Sequence, residues 1–220
     1  MLEKGAVEVV RDHSSPGLYH RLFTVPKASG GVLPVIDLSP LNILIQNPSF
    51  RMETAESIRA SLQQGEWACH FDLKDAYLHI PMAKDLCKYL RFMVDGVVYQ
   101  FRVLPFGLNQ APRIFTFFLR PVVAFLREHG QRLYAYLDNW MFRACWESRM
   151  PYITRVSILL LQDLGWLINW EKTNLLPRQI LEFLGCEWNL AQALVFPAPS
   201  TSGTSNNGSG LAGLKREAVG

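Results

Sequence analysis

The chain has 220 residues, of which 49% are hydrophobic and 19% charged, a globular balance that excludes disorder over most of its length. A formal net charge of +3 is compatible with a polyanionic partner without requiring one. The four cysteines, Cys69, Cys87, Cys145 and Cys186, form no C-x-x-C pair and have no His at zinc-ligand spacing, so they read as reduced thiols rather than a metal knot. In chain order, residues 22–25 and 34–37 read as short strands around a hairpin turn at 27–31. A helix is expected over 53–64, with Thr54 as its N-cap and Gly65 as its stop. Residues 67–72 form a strand that ends in Asp72. The Asp95-Gly96 pair between two apolar runs predicts a hairpin of 90–94 with 97–101. A long helix follows over 111–129, with a kink at Pro121 and a stop at Gly130.

Residues 132–137 and 141–142 read as strands flanking a tight turn at Asp138-Asn139. The spacing then predicts a helix over 152–164 with Val156, Leu159, Leu160 and Leu164 inward. Short strands are expected near 166–169, 183–188 and 194–196. After Phe196 the composition turns to Ser, Gly, Asn and Pro and cannot supply a core. Strands and helices mixed, with hairpins, indicate an α+β fold on an antiparallel sheet. The acidic, mixed start does not read as a signal peptide, and no run reaches the ~20 apolar residues of a membrane span. The protein is expected in cytoplasm or nucleus with no membrane partner.

Two carboxylates stand out. Asp72 closes one strand and Asp138 sits in a hairpin turn. Either is ordinary turn chemistry when taken alone. Brought together by strand pairing, they would hold a pair of divalent cations of the kind that drives in-line phosphoryl transfer.

The surrounding segments resemble the motifs of retroelement reverse transcriptases, in the family's order and spacing, from about residue 21 to 196. Residues 71–81 (FDLKDAYLHIP) are similar to motif A, 104–115 (LPFGLNQAPRIF) to motif B, and 136–140 (YLDNW) to motif C. Residues 169–173 (NWEKT) with Pro177 resemble motif D, and Phe183-Leu184-Gly185 resembles motif E, the primer grip. Val25-Pro26-Lys27 and residues 35–42 (VIDLSPLN) are similar to the fingers. Trp140 and the phrase at 120–123 lean toward the DIRS-like lineage, with gypsy-like elements next.

The resemblance implies a palm-and-fingers polymerase core over 21–196, preceded by an N-terminal extension (1–20) and followed by a disordered low-complexity tail (197–220). It implies RNA-directed DNA synthesis on an RNA or DNA template with a primer, using deoxynucleoside triphosphates and two Mg²⁺ (or Mn²⁺) ions. By the same resemblance Asp72, the Leu73 carbonyl and Asp138 would be metal ligands, with Asn139 and Lys172 completing the catalytic set. Lys27, Leu73, Tyr77, Phe106 and Gly107 would bind the nucleotide, Tyr77 as the ring that excludes a ribose 2′-OH. Phe183, Leu184 and Gly185 would steady the primer. Lys27, Lys74, Arg102, Arg113 and Lys172 are the basic candidates for phosphate contacts.

The sequence departs from the family at two positions. Asn139 stands where motif C has its second Asp. Leu33 stands where the fingers carry an Arg that forks onto nucleotide phosphates. With no thumb expected after motif E, these departures imply weakened synthesis. A catalytically dead remnant that at most binds nucleic acid is the alternative.

Overall fold

The computed structural model describes residues 1–12, 15–26 and 32–198, apart from the side chain of Leu33. The elements in chain order are β1 (Val7–Val9), β2 (Tyr19–His20), β3 (Leu22–Pro26), β4 (Val32–Ile36), α1 (Ser39–Leu44) and α2 (Ala55–Arg59). They continue with β5 (Trp67–Asp72), β6 (Arg91–Val94), β7 (Val97–Phe101), α3 (Ala111–Glu128), β8 (Arg132–Tyr136) and β9 (Asn139–Ala144). The last are α4 (Met150–Asp163), β10 (Asn174–Arg178), β11 (Ile180–Phe183), β12 (Cys186–Asn189) and β13 (Leu194–Pro197).

The central sheet has the order β10-β5-β9-β8, antiparallel throughout. Its two central strands, β5 and β9, are buried on both faces, and the period-2 alternation of side chains separates two cores. Cys69, Phe71, Trp140, Phe142 and Ala144 join the larger core with Phe115, Leu119 and Leu126 of α3 and Ile153, Ile158 and Leu161 of α4. Phe71 lies on Trp140 with ring centroids 5.5 Å apart. Ala68 and Met141 point the other way, into a smaller core with Ile58 of α2, Leu181, Phe183, Cys186 and Trp188. That second core is roofed by the three-stranded sheet β11-β12-β13.

A further sheet, β1-β7-β6-β2, flanks the first, and the hairpin β3-β4 forms a separate two-stranded sheet whose Ile36 is buried in the larger core. The β6–β7 turn carries Asp95 and Gly96 at φ 48° and 78°, the left-handed pair that matches strand twist. Part of the expected N-terminal extension takes part in this sheet. Val7↔Phe101 and Val9↔Tyr99 pair antiparallel, and Ala6, Val7 and Val10 are buried.

Several expectations need correction. The helix at 53–64 is only α2, followed by a turn. Thr54 is its N-cap in a full capping box with Ser57, but after Arg59 the bonds tighten, Ser61 N–H to Ile58 carbonyl and Leu62 N–H to Arg59 carbonyl, and the helix winds out. The inward face of α4 is Ile153, Thr154, Ser157, Ile158 and Leu161, while Leu159 and Leu164 are exposed. Thr154 and Ser157 can be inside because their hydroxyls donate back to the carbonyls of Met150 and Ile153, at 2.9 Å each. The turn before β9 is Leu137-Asp138, so Asn139 already belongs to the strand. Residues 166–169 contribute only a bridge of Ile168 to Leu73. Residues 183–188 are not one strand but the β11–β12 hairpin, turning at Leu184-Gly185. The predicted turn at 27–31, which holds Lys27, and nearly all of the predicted tail (199–220) lie outside the described residues.

Candidate active site

The register of the central sheet builds the site. Asp72, the last residue of β5, pairs directly with Asn139, the first of β9, and Asn139 pairs with Tyr136 of β8. Directly opposed residues of an antiparallel pair share a face, with Cβ atoms about 5 Å apart. Asp72 and Asn139 therefore lie on one face at the sheet's end. Asp138 stands beside them in the turn, and its carbonyl accepts the Leu73 N–H at 2.7 Å.

That turn is held under strain. Leu137 has φ 52°, a left-handed conformation unfavourable for a residue with a Cβ. The fully buried Trp140 secures it: its indole N–H donates to the Leu137 carbonyl at 3.1 Å, which also satisfies a polar group that cannot reach water.

Asp72 is 8% exposed and is held from the segment that follows α4. The Asn169 side-chain amide donates to its Oδ1 at 2.9 Å, the Asn169 N–H donates to its carbonyl at 2.8 Å, and its own N–H donates to the Thr173 hydroxyl at 3.3 Å. Burial pushes the Asp138 carboxyl above its usual value, and the Asp72 carboxylate pushes it further; a backbone hydrogen bond and the Lys172 ammonium pull it down. Lys172 thus acts electrostatically on Asp138 from an exposed position.

The positions expected from the sequence to meet the nucleotide adjoin this cluster. Tyr77 lies in the 3-10 turn Ala76–His79, its ring 5.1 Å from Phe106 and edge-on to Phe115 at 5.4 Å. Its hydroxyl is pushed up to about 12, by burial first and then by the charges of Asp138 and Tyr136. Gly107 has φ 99°, and a Cβ on it would meet the Ile36 carbonyl oxygen at 2.7 Å. Only glycine allows the end of the fingers hairpin to lie against this loop. Asn42 of α1 fastens the contact: its amide donates to the Gly107 carbonyl at 2.8 Å and accepts the Asn109 N–H at 2.9 Å.

Asp72, Leu73, Tyr77, Phe106, Asp138, Asn139 and Lys172 are thus linked by pairing, ring contact, hydrogen bond or charge, and Gly107 follows Phe106 in the chain while its own contacts are with Ile36 and Asn42. Phe183 is not among them. Its ring is buried in the second core and its carbonyl accepts the Trp188 indole N–H at 2.8 Å, so only the turn at Leu184-Gly185 is presented outward. Lys74, Arg102, Arg113 and Lys172 are exposed, Arg102 in a 3.4 Å ion pair with Glu8.

Two arrangements escaped the sequence reading. The clamp of Asn169 on Asp72 joins positions far apart in the chain. The other is a buried ion network behind the sheet: Glu66 meets Arg143 at 3.1 Å and Arg132 at 2.7 Å, and Arg143 also bonds Ser61 and Tyr134. A charged residue on the inward face of a strand is the signal that would have pointed to Arg143.

The donor set suits a hard cation. Asn139 Oδ1 is buried and accepts no hydrogen bond, and it lies on the same face as a carboxylate whose neighbour already repels it. Oxygen donors of this kind fit Mg²⁺ or Mn²⁺. Among the described residues no third His, Cys, Asp or Glu joins the pair.

Comparison with known proteins agrees with this geometry. Residues 25–188 match the family model for reverse transcriptase (RNA-dependent DNA polymerase). The chain is 25% identical over 185 residues to the transposon Tf2-7 polyprotein of Schizosaccharomyces pombe, covering 80% of this chain and 14% of that polyprotein. It is 27% identical over 192 residues to a putative enzymatic polyprotein of Cassava vein mosaic virus, covering 85% of this chain and 29% of the other. The chain therefore spans less than a third of the length of these relatives. It superposes on the foamy viral protease-reverse transcriptase in complex with dsDNA with a TM-score of 0.77 at 19% identity, over 93% of this chain and 42% of that one. On the same viral enzyme with an RNA/DNA hybrid the TM-score is 0.69 at 21% identity, over 84% and 24%. At such identities the superpositions speak for the fold, while the sequence match speaks for the family. The chain belongs to the reverse transcriptase family.

Proposed function

We propose that this chain is the fingers-and-palm core of a retroelement reverse transcriptase that adds deoxynucleotides to a primer 3′-hydroxyl on an RNA or DNA template. The observation that carries the reading is the meeting of Asp72 and Asp138 at one sheet end, with the unpartnered Asn139 oxygen beside them. Foamy viral relatives of the same fold have been solved with dsDNA and with an RNA/DNA hybrid, and a primer–template is the partner this chain takes by analogy.

Asp72, Asp138 and the Leu73 carbonyl would hold two Mg²⁺ or Mn²⁺ ions, with Asn139 as a neutral ligand. Bound there, the ions would acidify the primer hydroxyl and offset charge on the transferring phosphate. The protein's own residues do the remainder. Phe106 and Gly107 floor the pocket for the incoming base. Tyr77 fills the space of a ribose 2′-OH and so selects deoxynucleotides. Lys27 meets the triphosphate as a point charge. Lys172 supplies a proton to the leaving pyrophosphate, and the Leu184-Gly185 turn, anchored by Phe183, rests on the primer backbone. The wording at Arg120–Val123 and Trp140 favours a DIRS-like element as the source.

Primer extension with Mg²⁺ or Mn²⁺ tests the proposal, with Asp72→Ala as the blank. Extension above the blank is the expected result. Activity no greater than the blank, with primer–template still bound, would assign the chain to the remnants that only bind nucleic acid.

A further inference from the structure

Asn169 makes three hydrogen bonds that meet at the candidate site. Its side-chain amide donates to Asp72 Oδ1 at 2.9 Å, its backbone N–H donates to the Asp72 carbonyl at 2.8 Å, and its carbonyl accepts the Lys172 N–H at 3.2 Å. One residue therefore grips both ends of Asp72 and also closes the turn that carries Lys172. We infer that Asn169 is a positioning residue, which fixes the plane of the Asp72 carboxylate for cation binding and couples it to the Lys172 turn.

The physical argument rests on what a carboxylate does when left free. Asp72 ends its strand, and its χ2 rotation is soft. An amide donor on one oxygen stops that rotation and sets the direction in which the other oxygen faces. Donors behind a ligand act in this way at metal sites, and losing one typically weakens metal affinity or activity about 10- to 100-fold. The backbone bond to the Asp72 carbonyl survives Asn169→Ala and Asn169→Ser, so removing the side chain separates positioning from strand attachment. The grip on Asp72 and the turn at Lys172 are then linked through the same residue, which explains how an exposed lysine keeps its place near Asp72 and the half-buried Asp138.

This inference rests on the reading of Asp72 as a cation ligand, and the experiment separates the two. Mn²⁺ alone is titrated calorimetrically into the full chain and into Asn169→Ala, Asn169→Ser and Asp72→Ala, with a thermal melt of each. Asn169→Ala is expected to melt cooperatively and to bind Mn²⁺ about 10- to 100-fold more weakly. Its primer extension should lose kcat with little change in the KM for nucleotide. Asn169→Ser should behave the same way, because its hydroxyl is too short to reach Oδ1. If both variants bind Mn²⁺ within about twofold of the parent while Asp72→Ala does not, the side chain is no more than a strand clip and the inference fails alone. If Asp72→Ala binds as the parent does, the cation reading fails and takes this inference with it. If neither variant at 169 folds, Asn169 is a structural support and the positioning role is wrong.

Discussion

The indole N–H of Trp140 donates to the carbonyl of Leu137 across the turn that carries Asp138. A ring at the bottom of the larger core thereby holds a left-handed leucine at the surface of the site. Trp140→Phe keeps most of the packing on Phe71 and removes the donor. The unpaired carbonyl should cost about 1–3 kcal/mol in a urea melt. Primer extension should fall further than that loss of stability explains, because Asp138 loses its fixed turn. Unchanged extension by a destabilised variant would show that the turn holds itself.

Gly107→Ala meets two penalties at once: a positive φ and a backbone oxygen 2.7 Å from the new methyl. Neither can relax by a rotamer change, since the obstacle is the main chain of β4. A destabilisation of about 1–3 kcal/mol is expected, together with loss of nucleotide binding. Denaturant midpoints and nucleotide KM measure the two effects, and a neutral substitution would mean that the fingers hairpin stands clear of this loop.

Tyr77 supplies a pH signature. Its hydroxyl is raised from an ordinary 10.0 to about 12, so the folded chain holds that proton more tightly than the unfolded chain does. The resulting stabilisation is complete below pH 10 and disappears as pH rises through 12. Tyr77→Phe should flatten this part of the stability curve, read as urea midpoints across the alkaline range, while keeping the ring. Tyr77→Ala should instead admit ribonucleotides, lowering discrimination against them by about tenfold or more. Equal discrimination in parent and Ala variant would remove Tyr77 from the sugar-selecting role.

Glu66 and Arg143 are 1% exposed each, and the guanidinium also meets Ser61 and Tyr134. Removing either partner strands a buried charge, at about 3–5 kcal/mol. Glu66→Gln or Arg143→Met alone should therefore be far more damaging than Glu66→Gln with Arg143→Met together. Thermal melts of the three variants test this, and additive losses would show that the pair is not coupled.

Asn139 is the departure with the sharpest consequence. A carboxylate there would add a third charge to a pair that already repels, so Asn139→Asp should lower the melting temperature without cations and recover it with Mg²⁺. Restoring one preorganised electrostatic element is worth about 3 kcal/mol at a transition state, a rate gain of about 10²-fold. Leu33→Arg should add to it in single-nucleotide addition. A double variant that stays at the Asp72→Ala blank would mean the scaffold itself is unfit for synthesis.

Strand β5 and the Asp-Gly hairpin were legible because apolar alternation and turn chemistry are local. Asp72 and Asp138 were legible as a pair only through the likeness of their segments to motifs A and C. The displaced turn before β9 was not, because nothing in the letters Leu137-Asp138-Asn139 favours a left-handed leucine; the Trp140 anchor imposes it from the core. Counting leucines misplaces the inward face of α4, because two hydroxyl residues bury themselves by bonding to their own helix. Glu66 with Arg143, and Asn169 with Asp72, depend on tertiary pairing over long chain separations, which no local pattern encodes.

Strand β1 has a practical consequence for anyone preparing this protein. The Ala6 carbonyl accepts the Arg102 N–H and the Val10 N–H donates to the Val98 carbonyl, so the first dozen residues seal one margin of the β6–β7 hairpin. A fragment trimmed to the matched family region would lay that margin bare, with Val7 and its neighbours no longer covering Phe101 and Tyr99. Exposed strand margins recruit other strands. Insolubility of such a trimmed fragment would then reflect the choice of its starting residue rather than a defect of the polymerase core.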